Sequence, residues 1–229
     1  MYIDWTYIIL VLPAVLFSLW ASRKVKTTYQ QYQTQYNSRN ITGAQAARFI
    51  LDRNGLSNIR IEQTSGTLTD HYDPSAKVLR LSDSVYGSTS IAAAGVAAHE
   101  CGHAIQDKVN YIPIRLRNAL VPVVNLGSKL SWPVIILGLI LGRAGLLQIG
   151  IILFGLTLLF QVVTLPVEFN ASGRALRILD QRGILGHEEM RGARKVLGAA
   201  AMTYVTATIS TLLQLLRLVL LFGNRSDND

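Results

Sequence analysis

Long apolar runs alternate along this chain with polar stretches of much shorter period. The first run, "YIILVLPAVLFSLWAS", covers Tyr7 to Ser22. Two more lie close together: "LVPVVNLGSKLSWPVIILGLIL" from Leu120 to Leu141, interrupted by Lys129, and the uncharged "GLLQIGIILFGLTLLFQVVTLP" from Gly145 to Pro166. A fourth, "ATISTLLQLLRLVLLFG", extends from Ala207 to Gly223 and contains Arg217. Such runs exceed what a soluble core uses and approach the ~20 apolar residues that a helix needs to cross a bilayer. They predict membrane segments at 5–22, 118–141, 145–166 and 204–223. The last either spans or lies at the interface, because arginine inside lipid is costly. Only "GRA" separates the second run from the third, so the two form a hairpin that returns to its starting side.

Between these runs the polar segments 23–117 and 167–203 carry shorter patterns. "TTYQQYQTQYN" reads as a linker or helical stalk. "NITGAQAARFILDRNG" has the spacing of an amphipathic helix, with Thr42 as N-cap and Gly55 as its stop. "NIRIEQ" alternates like a strand, and "TLTDHYDPSAKVLRLS" like a hairpin turning at Asp73-Pro74. The strand "KVLRLS" is expected at the sheet edge, free to pair with an extended peptide. Ser90 or Thr89 caps an alanine-rich helix that reaches about Lys108.

Charge then orients the chain. Arg23, Lys24 and Lys26 follow the first run, the hairpin tip holds only Arg143, and the C-terminal tail only Arg225. By the positive-inside rule both polar segments face the cytoplasm. The single cysteine, Cys101, excludes an internal disulfide framework and fits a reducing compartment. The formal charge of +8 comes without aromatic-basic interleaving or a recognisable motif, which excludes nucleic acid as the expected partner. The expected partners are the bilayer and a polypeptide.

The alanine-rich helix contains "HECGH", an HExxH pattern. Residues four apart on an α-helix share a face, so His99 and His103 can grip one ion, and imidazole nitrogens suit Zn²⁺. Glu100 points to the side, where it can act as general base towards a zinc-activated water attacking a peptide carbonyl. A catalytic zinc needs a third protein ligand and an open position. Glu168, directly after the third apolar run, is brought by the hairpin to the face that carries the HExxH helix. Asp107, four residues after His103, is either an orienting carboxylate for a ligand imidazole or a solvated helix-end charge. His71 is either a substrate or transition-state contact or a structural strand residue. Cys101 reads as a small packed residue. Arg174 and Arg177 either stabilise an oxyanion or serve topology.

"LTDHYDP", "LRLS", "AAHECGHAIQ" and "PVEFNASGRAL" together resemble the bacterial YugP-type neutral zinc metallopeptidases, in order and spacing across most of the chain. That resemblance implies a membrane-bound zinc peptidase of the bacterial cytoplasmic membrane, with His99, Glu100 and His103 as its zinc motif. A more distant likeness is to the HtpX-like and CAAX prenyl protease gluzincins, whose downstream Glu-x-x-x-Asp supplies a ligand and an orienting carboxylate. Glu168 matches the glutamate, but Ser172 stands where that aspartate would be.

The expected architecture is a mostly α membrane protein, a multi-span helical bundle with a small α+β zincin-like cytoplasmic catalytic domain. The expected function is a membrane-embedded, gluzincin-type zinc endopeptidase with one ion. Two alternatives stand beside it. In an intramembrane protease of the site-2 type, HExxH would sit in the bilayer. In a non-catalytic scaffold, zinc would be structural.

Overall fold

The computed structural model describes residues 5–222. Among them, four helices are long and apolar enough to cross a membrane: Tyr7–Gln33, Ile112–Leu141, Ala144–Gln181 and His187–Phe222. The first begins as a π-helical turn, Tyr7–Val11, and continues as α1, Leu12–Gln33. The polar stretch expected as a linker or stalk is therefore helical as far as Gln33. Helices α2 (Gly43–Arg53), α3 (Asp83–Tyr86), α4 (Ile91–Lys108), α5 (Ile112–Leu141), α6 (Ala144–Gln181) and α7 (His187–Phe222) follow, with strands β1 (Arg60–Thr64), β2 (His71–Asp73) and β3 (Val78–Ser82) between α2 and α3.

The chain divides into two compact units. One comprises the described residues of Met1–Ala21, Leu116–Leu165 and Thr203–Asp229; the other comprises Ser22–Arg115 and Pro166–Met202. Helix α6 contributes its first part to the former and its last part to the latter.

In the first unit, α5 and α6 turn about Gly142, whose φ of 62° is left-handed and suits a residue without a side chain. Glycines let the two helices approach. A Cβ at Gly150 would meet Ile135 Cγ1 at 2.4 Å, and one at Gly138 would meet the Leu147 nitrogen at 2.9 Å. Lipid offers no hydrophobic drive for helix pairing, so close backbone approach and side-chain hydrogen bonds do that work. Helices α1 and α7 use the second device: Ser18 and Ser210 hydroxyls lie 2.9 Å apart, and Ser210 also donates to Ala14 O at 3.2 Å. The Arg217 guanidinium stacks over the Tyr7 ring at 5.4 Å, which gives that cation a π face within the bundle. The sequence-expected end of the fourth run at Gly223, and Arg225, lie outside the described residues.

The second unit holds the site. Helix α2 starts with a capping box, Thr42 and Gln45 each satisfying the other's backbone N–H. It ends in a Schellman turn: Gly55 at φ 64° bonds to Asp52 O, and Leu56 N to Leu51 O. Its face of Ala46, Ala47, Ile50 and Leu51 is fully buried and packs in one core with α4. The sheet has the order β1-β3-β2, with β1 parallel and β2 antiparallel to β3. The strand "KVLRLS" is thus central, not an edge. Val78, Leu79 and Leu81 are wholly buried, and β1 and β2 occupy its two sides. Helix α4 is capped by Ser90 Oγ, which accepts from Ala93 N at 3.1 Å.

Candidate metal centre

Helix α4 is nearly solid with small residues because other helices press against its backbone. A Cβ on Gly102 would meet Ala171 O at 2.7 Å and Ala171 Cα at 3.1 Å. That approach brings α6 within side-chain reach of α4, one residue before His103 and three after Glu168. On α6 the buried face of Val167, Glu168, Ala171 and Ala175 recurs at helical spacing, so the carboxylate arrives on the side turned towards α4.

There His99, His103 and Glu168 converge, their ligand atoms all within 4.8 Å of one another. The Nε2 atoms of His99 and His103 stand 3.2 Å apart. Glu168 Oε2 lies 3.3 Å from His99 Nε2 and 3.7 Å from His103 Nε2. Two tetrahedral ligands at zinc distances of ~2.0–2.1 Å stand about 3.3–3.4 Å apart, so this triple fits a zinc ion.

The other imidazole nitrogens make the same point. His103 Nδ1 faces Gln106 Oε1 at 3.0 Å. Gln106 is fully buried and its amide nitrogen donates to Val167 O at 2.8 Å and Asn170 Oδ1 at 3.0 Å. Asn170 Oδ1 also accepts from Arg174 Nε at 2.7 Å. His99 Nδ1 lies 3.1 Å from Ser172 Oγ. With Nδ1–H donated to an oxygen in each ring, both Nε2 lone pairs are left to a metal. Ser172, at the position where the more distant relatives carry aspartate, therefore makes the contact that an orienting group would make.

Glu100 is buried beside this triple but outside it. Burial pushes its carboxyl up to about 7; the His99 charge opposes the rise, Glu168 and Asp70 add to it, and the Tyr72 backbone N–H opposes it. For His99, burial disfavours the charged ring, yet the Glu168 hydrogen bond and the charges of Glu100 and Glu168 outweigh that and raise it.

Asp107 and His71 are placed elsewhere. Asp107 Oδ2 accepts from the Tyr72 hydroxyl at 2.8 Å and Lys77 Nζ at 2.6 Å. It orients neither ring through Nδ1, since Ser172 and Gln106 hold those positions. His71 is exposed on β2, its ring at Thr69 O and Arg80. Cys101 is fully buried with Sγ 3.6 Å from Ala47 O, and burial pushes its thiol up. Gln106 and Asn170 have no motif of their own. The signal available for Gln106 was its i+3 spacing from His103.

Two histidines and a glutamate of this spacing, in a chain with four helices of bilayer length, define a class of membrane-associated zinc-site proteins. The chain belongs to the family described as "Putative neutral zinc metallopeptidase", whose profile matches residues 7–223. It is 45% identical over 223 residues, 97% of this chain and 99% of the relative, to "Putative membrane protease YugP" of Bacillus subtilis (strain 168). No solved structure matches the chain.

Proposed function

We propose that this chain is a multi-pass, gluzincin-type zinc endopeptidase of the bacterial cytoplasmic membrane, with one ion held by His99, His103 and Glu168 and with Glu100 as general base. The observation that carries the reading is the meeting of those three donors within 4.8 Å, with Glu100 adjacent but not among them. When bound, zinc supplies Lewis acidity, which makes water nucleophilic near neutral pH and polarises a peptide carbonyl. The chain's own residues do the rest. Gln106 and Ser172 keep each ring's proton on Nδ1. A Glu100 carboxylate oxygen takes the proton from the attacking water and returns it to the departing amide nitrogen, so hydrolysis balances. Glu100, His103 and Glu168 are themselves buried, which keeps bulk water off these charges.

The substrates on this reading are cytoplasmic or membrane-adjacent polypeptides, reached by a zincin-like domain built from 23–117 and 167–203 on the side where Lys and Arg concentrate. Helix α4 is not among the helices long and apolar enough to span, which favours a motif outside the bilayer over the site-2 arrangement. The test compares wild type with Glu100→Gln in detergent on fluorescein-labelled casein. The variant should bind zinc as wild type does and lose about 100-fold or more in turnover. Undiminished cleavage by the variant rejects Glu100 as base; metal-free wild type under zinc-replete conditions rejects the centre.

A further inference from the structure

Asn170 and Arg174 lie on α6 beyond Glu168 and take no part in the hydrolysis described above. Hydrogen bonds nevertheless join them to His103 in an unbroken line. Arg174 Nε donates to Asn170 Oδ1 at 2.7 Å, one turn back along α6. The same oxygen accepts from Gln106 Nε2 at 3.0 Å, and that nitrogen also reaches Val167 O at 2.8 Å. The other end of the Gln106 amide meets His103 Nδ1 at 3.0 Å. All of these residues belong to one compact unit.

The line contains two amides, and an amide fills nearly the same space with its oxygen and nitrogen exchanged. Packing alone therefore does not choose their directions. If Asn170 turned its NH₂ towards Gln106, the Gln106 amide would face a donor at Asn170 and an acceptor at Val167 O. One end of an amide cannot satisfy both. Gln106 turned to suit Asn170 would put its own NH₂ against His103 Nδ1. That nitrogen must then accept, and the ring proton moves to Nε2, the atom aimed at His99 and Glu168. The guanidinium removes the ambiguity. It has donors only, so the Asn170 atom that it meets must be oxygen. Gln106 answers with nitrogen, and its oxygen is left to face the ring.

We propose that Arg174 is a positioning residue for the metal: it fixes the direction of Asn170 and through it of Gln106, and so keeps the His103 Nε2 lone pair free for zinc. This rests on the assignment of His103 as a ligand above. Charge alone predicts the opposite of what the relay predicts. A cation near a Zn²⁺ site opposes metal binding, so a carboxylate in its place would strengthen it. The relay makes that exchange harmful, because a carboxylate only accepts and draws the Asn170 NH₂ towards itself. Arg177, one turn further along α6, is exposed and supplies the control for charge.

The experiment uses the full chain in detergent and has two arms. Zinc affinity is read by competition with a zinc-chelating dye. The ring tautomers are read from ¹⁵N shifts of the metal-free, alkaline protein labelled at its four histidines, the His103 signal being the one lost in His103→Gln. Arg174→Glu should bind zinc about tenfold more weakly, the lower end of the range for losing a ligand's hydrogen-bond partner. It should also move His103 from the Nδ1–H form towards Nε2–H. Arg174→Gln can still donate and should stay within about threefold of wild type in affinity. Arg177→Glu makes the same change of charge and should bind zinc at least as tightly as wild type. Arg174→Met, with neither donor nor acceptor, should show a smaller share of the Nε2–H form, and it decides the matter if the glutamate variant does not fold. Unweakened zinc binding by Arg174→Glu, or a His103 tautomer unmoved in the variants of Arg174 that fold, overturns the relay. Equal weakening by Arg174→Gln or Arg177→Glu also overturns it, since the metal would then be sensing charge or helix damage. If wild type holds no zinc, the metal-centre reading fails, while the ring shifts still decide whether Arg174 sets the tautomer.

Discussion

His103 and Gln106 meet at 3.0 Å between Nδ1 and Oε1, and the direction of that bond is forced. The Gln106 amide nitrogen has two acceptors, Val167 O and Asn170 Oδ1, so only its oxygen can face the ring. The ring must then carry a proton on Nδ1, and in its neutral form the Nε2 lone pair is the one left for a metal. A residue three positions past the second histidine thus sets the tautomer that a metal needs, and it does so through a carbonyl on α6, the helix that also carries Glu168.

Replacing that amide should weaken both the metal and the fold. Gln106→Leu keeps the volume and deletes the acceptor, and loss of such a partner lowers metal affinity about 10–100-fold. Competition against a zinc-chelating dye reads this directly. The Val167 carbonyl also loses a donor in the core, so unfolding should become easier by about 1–3 kcal/mol. An unchanged zinc affinity would show that His103 does not use the Nε2 tautomer.

Ser172 offers a two-sided comparison. Its hydroxyl meets His99 Nδ1 at 3.1 Å. Ser172→Ala should lower zinc affinity, towards the ~10-fold end of the usual range, because the neutral hydroxyl is a weaker acceptor than a carboxylate. Ser172→Asp should hold zinc at least as tightly as wild type, since a carboxylate increases the basicity of the ring it accepts from. The dye competition that serves for Gln106 separates these outcomes; weaker binding in the aspartate variant would contradict the orienting role.

The helical period made His99 and His103 legible as one pair, since four residues suffice to put both on one face. Glu168 required a topological argument, a hairpin returning a carboxylate to its starting side. The partners of Nδ1 were not legible. Ser172 meets its ring only because Gly102 lets α6 lie against α4, and backbone separation is not written in a single helix's pattern; Gln106 shares α4 with His103 but owes its orientation to Val167 and Asn170 on α6. The sheet order fails for a similar reason. The alternation of "VLRLS" reads as a half-buried strand, but β1 joins it in parallel from across a loop and a hairpin. No local signal distinguishes a central strand from an edge when the neighbour is not the next strand in sequence. Asp107 reads from sequence as either an orienting carboxylate or a solvated helix-end charge, and its actual neighbour, the Tyr72 hydroxyl, carries no local signal because it comes from 35 residues away.

Gly102→Ala tests the close approach itself. Alanine favours a helix over glycine by about 0.8–1.0 kcal/mol, so on propensity alone the variant would be more stable. The new Cβ, however, would sit 2.7 Å from Ala171 O, a backbone atom that cannot swing aside. Overpacking of this kind costs about 1–3 kcal/mol, which exceeds the propensity gain. The expected result is a lower melting temperature in detergent together with weaker zinc binding, because α6 carries Glu168 away from the histidines. A higher melting temperature would mean that the two helices stand further apart than described.

Acid should act on the start of α7 through Glu189. Its Oε2 accepts from Gly186 N at 2.7 Å and its Oε1 from Ser38 N at 2.6 Å, tying the helix start to the chain just after α1. Burial alone would raise this carboxyl, but the two backbone N–H bonds, the Ser38 side chain and the Arg39 charge outweigh it and hold it below its ordinary value of 4.5. Between that lowered value and 4.5 the unfolded chain binds more protons than the folded one, so stability increases with pH across the interval. The contribution is complete above 4.5 and disappears as pH falls through the folded value. Glu189→Gln should therefore melt lower than wild type at neutral pH, with the gap closing as the pH is taken below 4.5. Melting curves of both forms across that range check the sign, and a gap that widens in acid would show that the carboxylate is not held by those two amides.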